Sequence, residues 1–201
     1  MAREVILAES HGFCSGVRHA IEVAEKAVAA SSGPVYCLHE LVHNRLVVDS
    51  LSAAGMVFVK DVAEVPDGGT LLFSAHGVSP AVREAAAARG LNVIDATCVF
   101  VKRVHDAVRS LTAQGYRIFL IGNRDHDEVA GVSGEAPESV MVVETESEAE
   151  AVEVPDTDKI AVLTQTTLAS YQVEPILAVL KRRFPALVVP GKSGICVATT
   201  V

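Results

Sequence analysis

Three cysteines in this 201-residue chain stand in similar local surroundings. Cys14 lies in Gly12-Phe13-Cys14-Ser15-Gly16-Val17, Cys98 follows Asp95-Ala96-Thr97, and Cys196 follows Gly194-Ile195. Equivalent places in repeated units suggest a shared metal centre. Thiolates are the usual ligands of iron–sulfur clusters and can also hold zinc. On a cubane cluster three of them would leave one iron open, able to act as a Lewis acid and to pass electrons. These cysteines lie far beyond the spacing of any local metal motif, so the fold itself must assemble them. Taken singly, each is as readily a small buried hydrophobe. Cys37, inside the apolar run Val35-Tyr36-Cys37-Leu38, has no counterpart elsewhere and is expected to pack in the core.

A second set suits an anionic substrate. Imidazoles at His43, His76 and His126 can donate to phosphate oxygens, and helix N-termini add backbone donors. Glu128 is an acid that could supply a proton once a water-poor site raises its pKa. Thr166 offers a hydroxyl that donates or accepts. The plainer reading of each is a helix cap or a surface residue, and for Thr166 alone the cap is the simpler one. His11, His19, His39 and His105 repeat at no matched position and read as surface or packing residues.

The elements that must position these residues alternate. Short apolar runs at 5–8, 35–38, 56–59, 70–73, 117–121, 140–143 and 160–163 read as strands, the first as a buried one. Between them, helical spacing appears after Cys14, over 46–51, over 80–89, after Cys98, and over 173–180. Turns fall at 64–69 and at Glu153-Val154-Pro155-Asp156. Glu-Val-Pro-Asp occurs at 64–67 and again at 153–156, and Cys-to-His distances match between halves, which points to an internal duplication. Repeated β-α units favour an α/β fold with parallel sheets and helices on their faces. In such sheets ligands collect where strands run into helix N-termini. Cys14, His43, His76, Cys98, His126 and Thr166 all fall at such junctions, so one geometric rule gathers six useful side chains on one rim.

Composition narrows the function classes. Half the residues are hydrophobic and 21% are charged, as in a folded globular chain. A net charge of -8, with no tryptophan and only three tyrosines, disfavours a nucleic-acid surface. No apolar run approaches the ~18 residues of a membrane span, and no signal-peptide pattern opens the chain, so the expectation is a cytoplasmic protein. Four scattered cysteines do not form a secreted disulfide framework.

Several stretches resemble the 4-hydroxy-3-methylbut-2-enyl diphosphate reductases, the LytB/IspH family. They are Gly12 to Val17, His39-Glu40-Leu41-Val42-His43-Asn44-Arg45, Phe73-Ser74-Ala75-His76-Gly77-Val78-Ser79 and Asp95-Ala96-Thr97-Cys98. His126-Asp127-Glu128-Val129, Thr164-Gln165-Thr166-Thr167-Leu168 and Ile195-Cys196-Val197-Ala198-Thr199-Thr200 continue the match. The resemblance implies three pseudo-symmetric α/β units around a 4Fe-4S cluster held by Cys14, Cys98 and Cys196. It implies diphosphate binding by His43, His76 and His126, proton delivery through Glu128, and a hydrogen bond from Thr166 near the substrate hydroxyl. The reaction implied is reductive dehydroxylation to isopentenyl and dimethylallyl diphosphate, with ferredoxin or flavodoxin as electron donor.

The same resemblance divides the chain into units at 1–96 and 97–195, with 196–201 opening a third. Val99 and Asp127 stand where the family usually has Pro, and neither change removes a ligand. The family's third unit, with a Ser-x-Asn motif, is expected after Thr200. Its absence from the sequence leads to an expectation of impaired turnover unless a partner chain or self-association covers that side. The alternative reading is a non-catalytic metal-binding or interaction remnant of the same fold.

Overall fold

The computed structural model describes residues 4–9, 11–154 and 159–190. Cys196 with the Ile195–Thr200 motif, and Pro155-Asp156 of the second turn, lie outside the described residues. The first sheet contains β1 (Val35–Leu38), β2 (Met56–Val59), β3 (Thr70–Phe73) and β4 (Asn92–Asp95), all parallel, in the order β2-β1-β3-β4. The second contains β5 (Arg117–Ile121), β6 (Val140–Val143) and β7 (Ile160–Thr164), also parallel, in the order β6-β5-β7.

Seven α-helices are described: α1 (Ser15–Ala30), α2 (Arg45–Ala53), α3 (Pro80–Ala88), α4 (Val99–Ala113), α5 (Asp127–Ser133), α6 (Glu146–Ala151) and α7 (Ser170–Arg183). Each sheet is sandwiched, because its strands are apolar on both faces. Val35, Cys37 and Leu72 pack under α1 and α2 with Ala20, Ala24, Val47 and Leu51, whereas Leu71 and Phe73 pack on the opposite face with Ala86 of α3. In the second sheet Phe119, Ile121 and Val162 meet α6 and α7, while Ile118, Leu120 and Leu163 meet α4 and α5. Alternate residues of one strand thus serve two layers, as the two-residue period requires.

The duplication extends to topology. The order β2-β1-β3 repeats as β6-β5-β7, and the place of β4 is taken by Val188, which bridges in parallel to Ala161. Its backbone exchanges hydrogen bonds with Ile160 and Val162 at 2.8 and 3.0 Å. None of the described helices is long and apolar enough to cross a membrane.

One expected strand is corrected. Val5-Ile6-Leu7-Ala8 is not a strand but an exposed irregular segment, with Val5, Ile6 and Leu7 at 80%, 85% and 72% exposure. No described strand lies beside it to pair its backbone. Cys14 therefore stands at a helix start but not at a strand-to-helix junction.

Candidate functional site

Both described cysteines of the expected metal set are helix N-caps. Cys14 caps α1, where its sulfur accepts the Val17 N–H at 3.5 Å. Cys98 caps α4 through its backbone only, and its own N–H donates to the Ala75 carbonyl at 3.1 Å. That bond fixes Cys98 beside the turn carrying His76. Gly16 lies between the two thiols. A Cβ on Gly16 would sit 2.5 Å from the Cys98 sulfur and 3.9 Å from the Cys14 sulfur. Two thiols converging on one point that only glycine leaves open make a fitting cradle for a shared inorganic group. Cys37 does not join them. Burial pushes its thiol up to about 12, so it stays protonated in the core, as expected from its strand position.

The three expected histidines arrive from three strand ends. His43 follows β1, His76 follows β3, and His126 follows β5 as the N-cap of α5. His43 and His76 stack with ring centroids 4.3 Å apart, and His126 stands edge-on to both at 4.9 and 5.2 Å. His76 is buried, and its Nε2 has no hydrogen-bond partner among the described residues. Burial, then the neighbouring His43 and His126, push its pKa down to about 4. Burial chiefly lowers that of His126 as well.

Their tautomers follow from their partners. Nδ1 of His126 accepts the Glu128 N–H at 3.1 Å, so the ring proton resides on Nε2. Nδ1 of His43 faces the Glu40 carboxylate at 3.1 Å and carries its proton there. All three rings offer a nitrogen within 4.8 Å of the others, a spacing a metal ion can use. The Nε2 proton of His126 argues against that use and suits it to an anionic oxygen instead.

Glu128 is 1% exposed. Its carboxylate accepts the Thr166 N–H at 2.6 Å and the Thr166 hydroxyl at 2.9 Å. Burial outweighs those two bonds and pushes its pKa up to about 7. Glu128 and Thr166, expected in this site, thus act as one unit at the junction of α5 with the end of β7. A cavity of about 200 Å³ joins the two sets, lined by Cys14, Cys98, His43, His76, Glu128 and Thr166 among apolar neighbours.

Sequence reasoning missed the supporting residues. Gln165 accepts the Asn123 N–H at 2.9 Å and donates to the Thr167 hydroxyl at 2.7 Å, which ties the ends of β5 and β7 together. Gly77, with φ +76, holds the His76 turn, and a Cβ there would meet His105 Nε2 at 2.9 Å. His105 is buried and bonds Glu135 at 2.7 Å, a packing role as expected. His39 is not a bystander, because its ring contacts Asp127, next to both His126 and Glu128. A glycine two residues after Cys14 was the one such signal visible in the sequence.

The LytB protein family profile matches residues 5–201. A 4-hydroxy-3-methylbut-2-enyl diphosphate reductase of Ralstonia nicotianae is 47% identical over 98% of this chain and 60% of that relative. One from Nocardia farcinica is 48% identical over 98% of this chain and 59% of its own length. Among solved structures, the E-1-hydroxy-2-methyl-but-2-enyl-4-diphosphate reductase of Plasmodium falciparum superposes with a TM-score of 0.91 at 38% identity. That superposition covers 95% of this chain and 60% of the other. The chain spans about three-fifths of the length of the curated relatives it matches.

Proposed function

The chain belongs to the LytB family, and we propose on that premise that its site serves the reductive dehydroxylation of 4-hydroxy-3-methylbut-2-enyl diphosphate to isopentenyl and dimethylallyl diphosphate. The observation that carries the reading is the convergence of two imidazoles, two cysteines and a proton-holding carboxyl on one cavity, with the His126 ring edge-on to both imidazoles. Two electrons and two protons enter, and the substrate hydroxyl leaves as water. Cys14 and Cys98, with Cys196, would hold a 4Fe-4S cluster. That cluster, when bound, supplies the electrons and an iron with an open position.

The chain's own residues supply binding and protons. His126 donates Nε2–H to a diphosphate oxygen while neutral, and the unpartnered His76 Nε2 is directed to the same charge. His43 stacks on His76 at the same place, its ring oriented by Glu40 at Nδ1. Glu128, with a pKa near 7, holds a proton at working pH and can release it to the leaving oxygen. Thr166 fixes the direction of that carboxyl by its two bonds. Apolar lining keeps water from competing. A ferredoxin or flavodoxin electron source, a cytoplasmic setting, and units at 1–96 and 97–195 belong to the same proposal.

The test is anaerobic purification with iron and sulfide analysis, and electron paramagnetic resonance with and without the diphosphate. A cubane spectrum that shifts on addition supports the reading. A metal-free or zinc-bound chain that ignores the diphosphate refutes it in favour of a non-catalytic remnant. The burial of Glu128 speaks against a remnant, since an idle carboxyl held there only costs stability.

A further inference from the structure

His39 is the one described non-glycine residue with a positive φ, at 58°. That conformation is strained for a residue with a Cβ, and such strain persists only where surrounding contacts hold it. The contacts are clear. The backbone N–H of His39 donates to the Val59 carbonyl at 2.8 Å, which anchors it to the first sheet. Its ring Nε2 donates to the Lys60 carbonyl at 3.1 Å, and its Nδ1 faces the Asp127 carboxylate. Both ring nitrogens therefore face acceptors.

Asp127 is the first residue of α5, between His126 and Glu128. Elsewhere α5 meets the first sheet's loops through smooth backbone. A Cβ on Gly131 would lie 3.3 Å from the Gly77 carbonyl oxygen, and one on Gly134 would lie 2.4 Å from the Ser79 Cβ. Glycine contacts allow close approach but do not interlock, so they do not by themselves fix sliding of α5 along the 77–79 loop. The His39–Asp127 pair supplies a directional contact at that boundary. It also lines both cavities there, one of about 170 Å³ behind α5 and one of about 450 Å³ opening toward His43.

We propose that His39 and Asp127 form a positioning tie that holds the His126–Glu128 segment in register with His43 and His76 across the two sheets. This rests on reading the histidines as a diphosphate site. The tie acts through other residues and touches no substrate itself.

The experiment compares the full chain with His39→Gly, Asp127→Asn and the double variant, using inorganic diphosphate as the probe. Glycine suits φ 58°, so His39→Gly is expected to keep or raise the melting temperature. Affinity for diphosphate, by calorimetry, is expected to fall about fivefold in each single variant and no further in the double. In labelled protein without ligand, the His126 ring N–H and Glu128 amide resonances shift or broaden in His39→Gly, whose substitution lies far from both along the chain. A purely structural contact would lower the melting temperature and leave those resonances in place. Additive losses in the double variant, or unchanged His126 and Glu128 resonances, overturn the tie. If the parent chain ignores diphosphate, the proposed function falls, and the resonances alone decide the tie.

Discussion

Glu128→Gln converts the buried carboxyl into a measurable pH dependence of stability. Gln keeps both bonds, since its carbonyl can accept the Thr166 N–H and the Thr166 hydroxyl can accept from its amide. The carboxyl pKa is about 7 in the fold against an ordinary 4.5, chiefly through burial. Below about pH 4.5 the group is neutral folded or unfolded, and it costs nothing. As pH rises toward 7 the unfolded chain ionises freely while the folded one does not, so the folded state loses relative stability. Above about 7 the loss is complete. At 1.36 kcal/mol per pKa unit the full span is about 3 kcal/mol, and most of it falls between pH 5 and 8. Glu128→Gln is free of this loss, so its stability advantage over the parent should grow by that amount across the interval. Urea unfolding of both proteins at four pH values reads it directly, and His76 and every other titrating group cancel in the difference. In thermal scans the gap corresponds to about 5–10 °C at pH 8. Product formation should fall at least about a hundredfold in the same variant. Parallel stability curves for the two proteins would refute the reasoning, because they would mean that Glu128 ionises as it does in water.

Other consequences are direct. Gly16→Ala places a Cβ against the Cys98 sulfur, so iron and sulfide incorporation should collapse while the circular dichroism of the fold remains. Cys37→Ala should leave iron content unchanged, since its thiol belongs to the core under α1, whereas Cys14→Ala should abolish it. His76→Ala removes a buried imidazole that lines the cavity and has an unpartnered Nε2, and diphosphate affinity by calorimetry should fall about tenfold or more. Gly77→Ala forces a side chain into a positive-φ turn and against His105, with a stability loss in urea of about 2 kcal/mol or more.

Most of the fold was legible because its strands are short, apolar on both faces and bounded by turn residues, as at Val35–Leu38 and Thr70–Phe73. The duplication was legible too, since matching landmarks recur in order, and the strand order repeats accordingly. Val5–Ala8 carries the same apolar signature and forms no described strand, because pairing depends on a neighbour that local sequence does not name. The partners of the site residues were hidden for a related reason. His39 meets Asp127 across 88 positions, and Thr166 meets Glu128 across 38. No periodicity encodes such pairs. The left-handed backbone of His39 was equally invisible, because histidine is not a residue that announces that conformation. What sequence did show was that His43, His76 and His126 follow strand ends, and parallel pairing then brings strand ends together.

The electrostatics of the unliganded site make a last demand on anion binding. With His76 pushed down to about 4 and His126 also lowered, both imidazoles are neutral at pH 7. Raising His76 to half protonation at that pH would need about 4 kcal/mol from the ligand. A charge-assisted hydrogen bond contributes about 1.5–3 kcal/mol, which is short of that. His126 already donates through Nε2 and gains little from a second proton. Diphosphate binding at pH 7 should therefore leave both His76 and His126 uncharged. Calorimetry in two buffers of different ionisation enthalpy counts the protons taken up. Uptake of two or more protons would show that His76 is charged by the ligand despite its burial. No uptake would show that the anion is held by neutral donors alone.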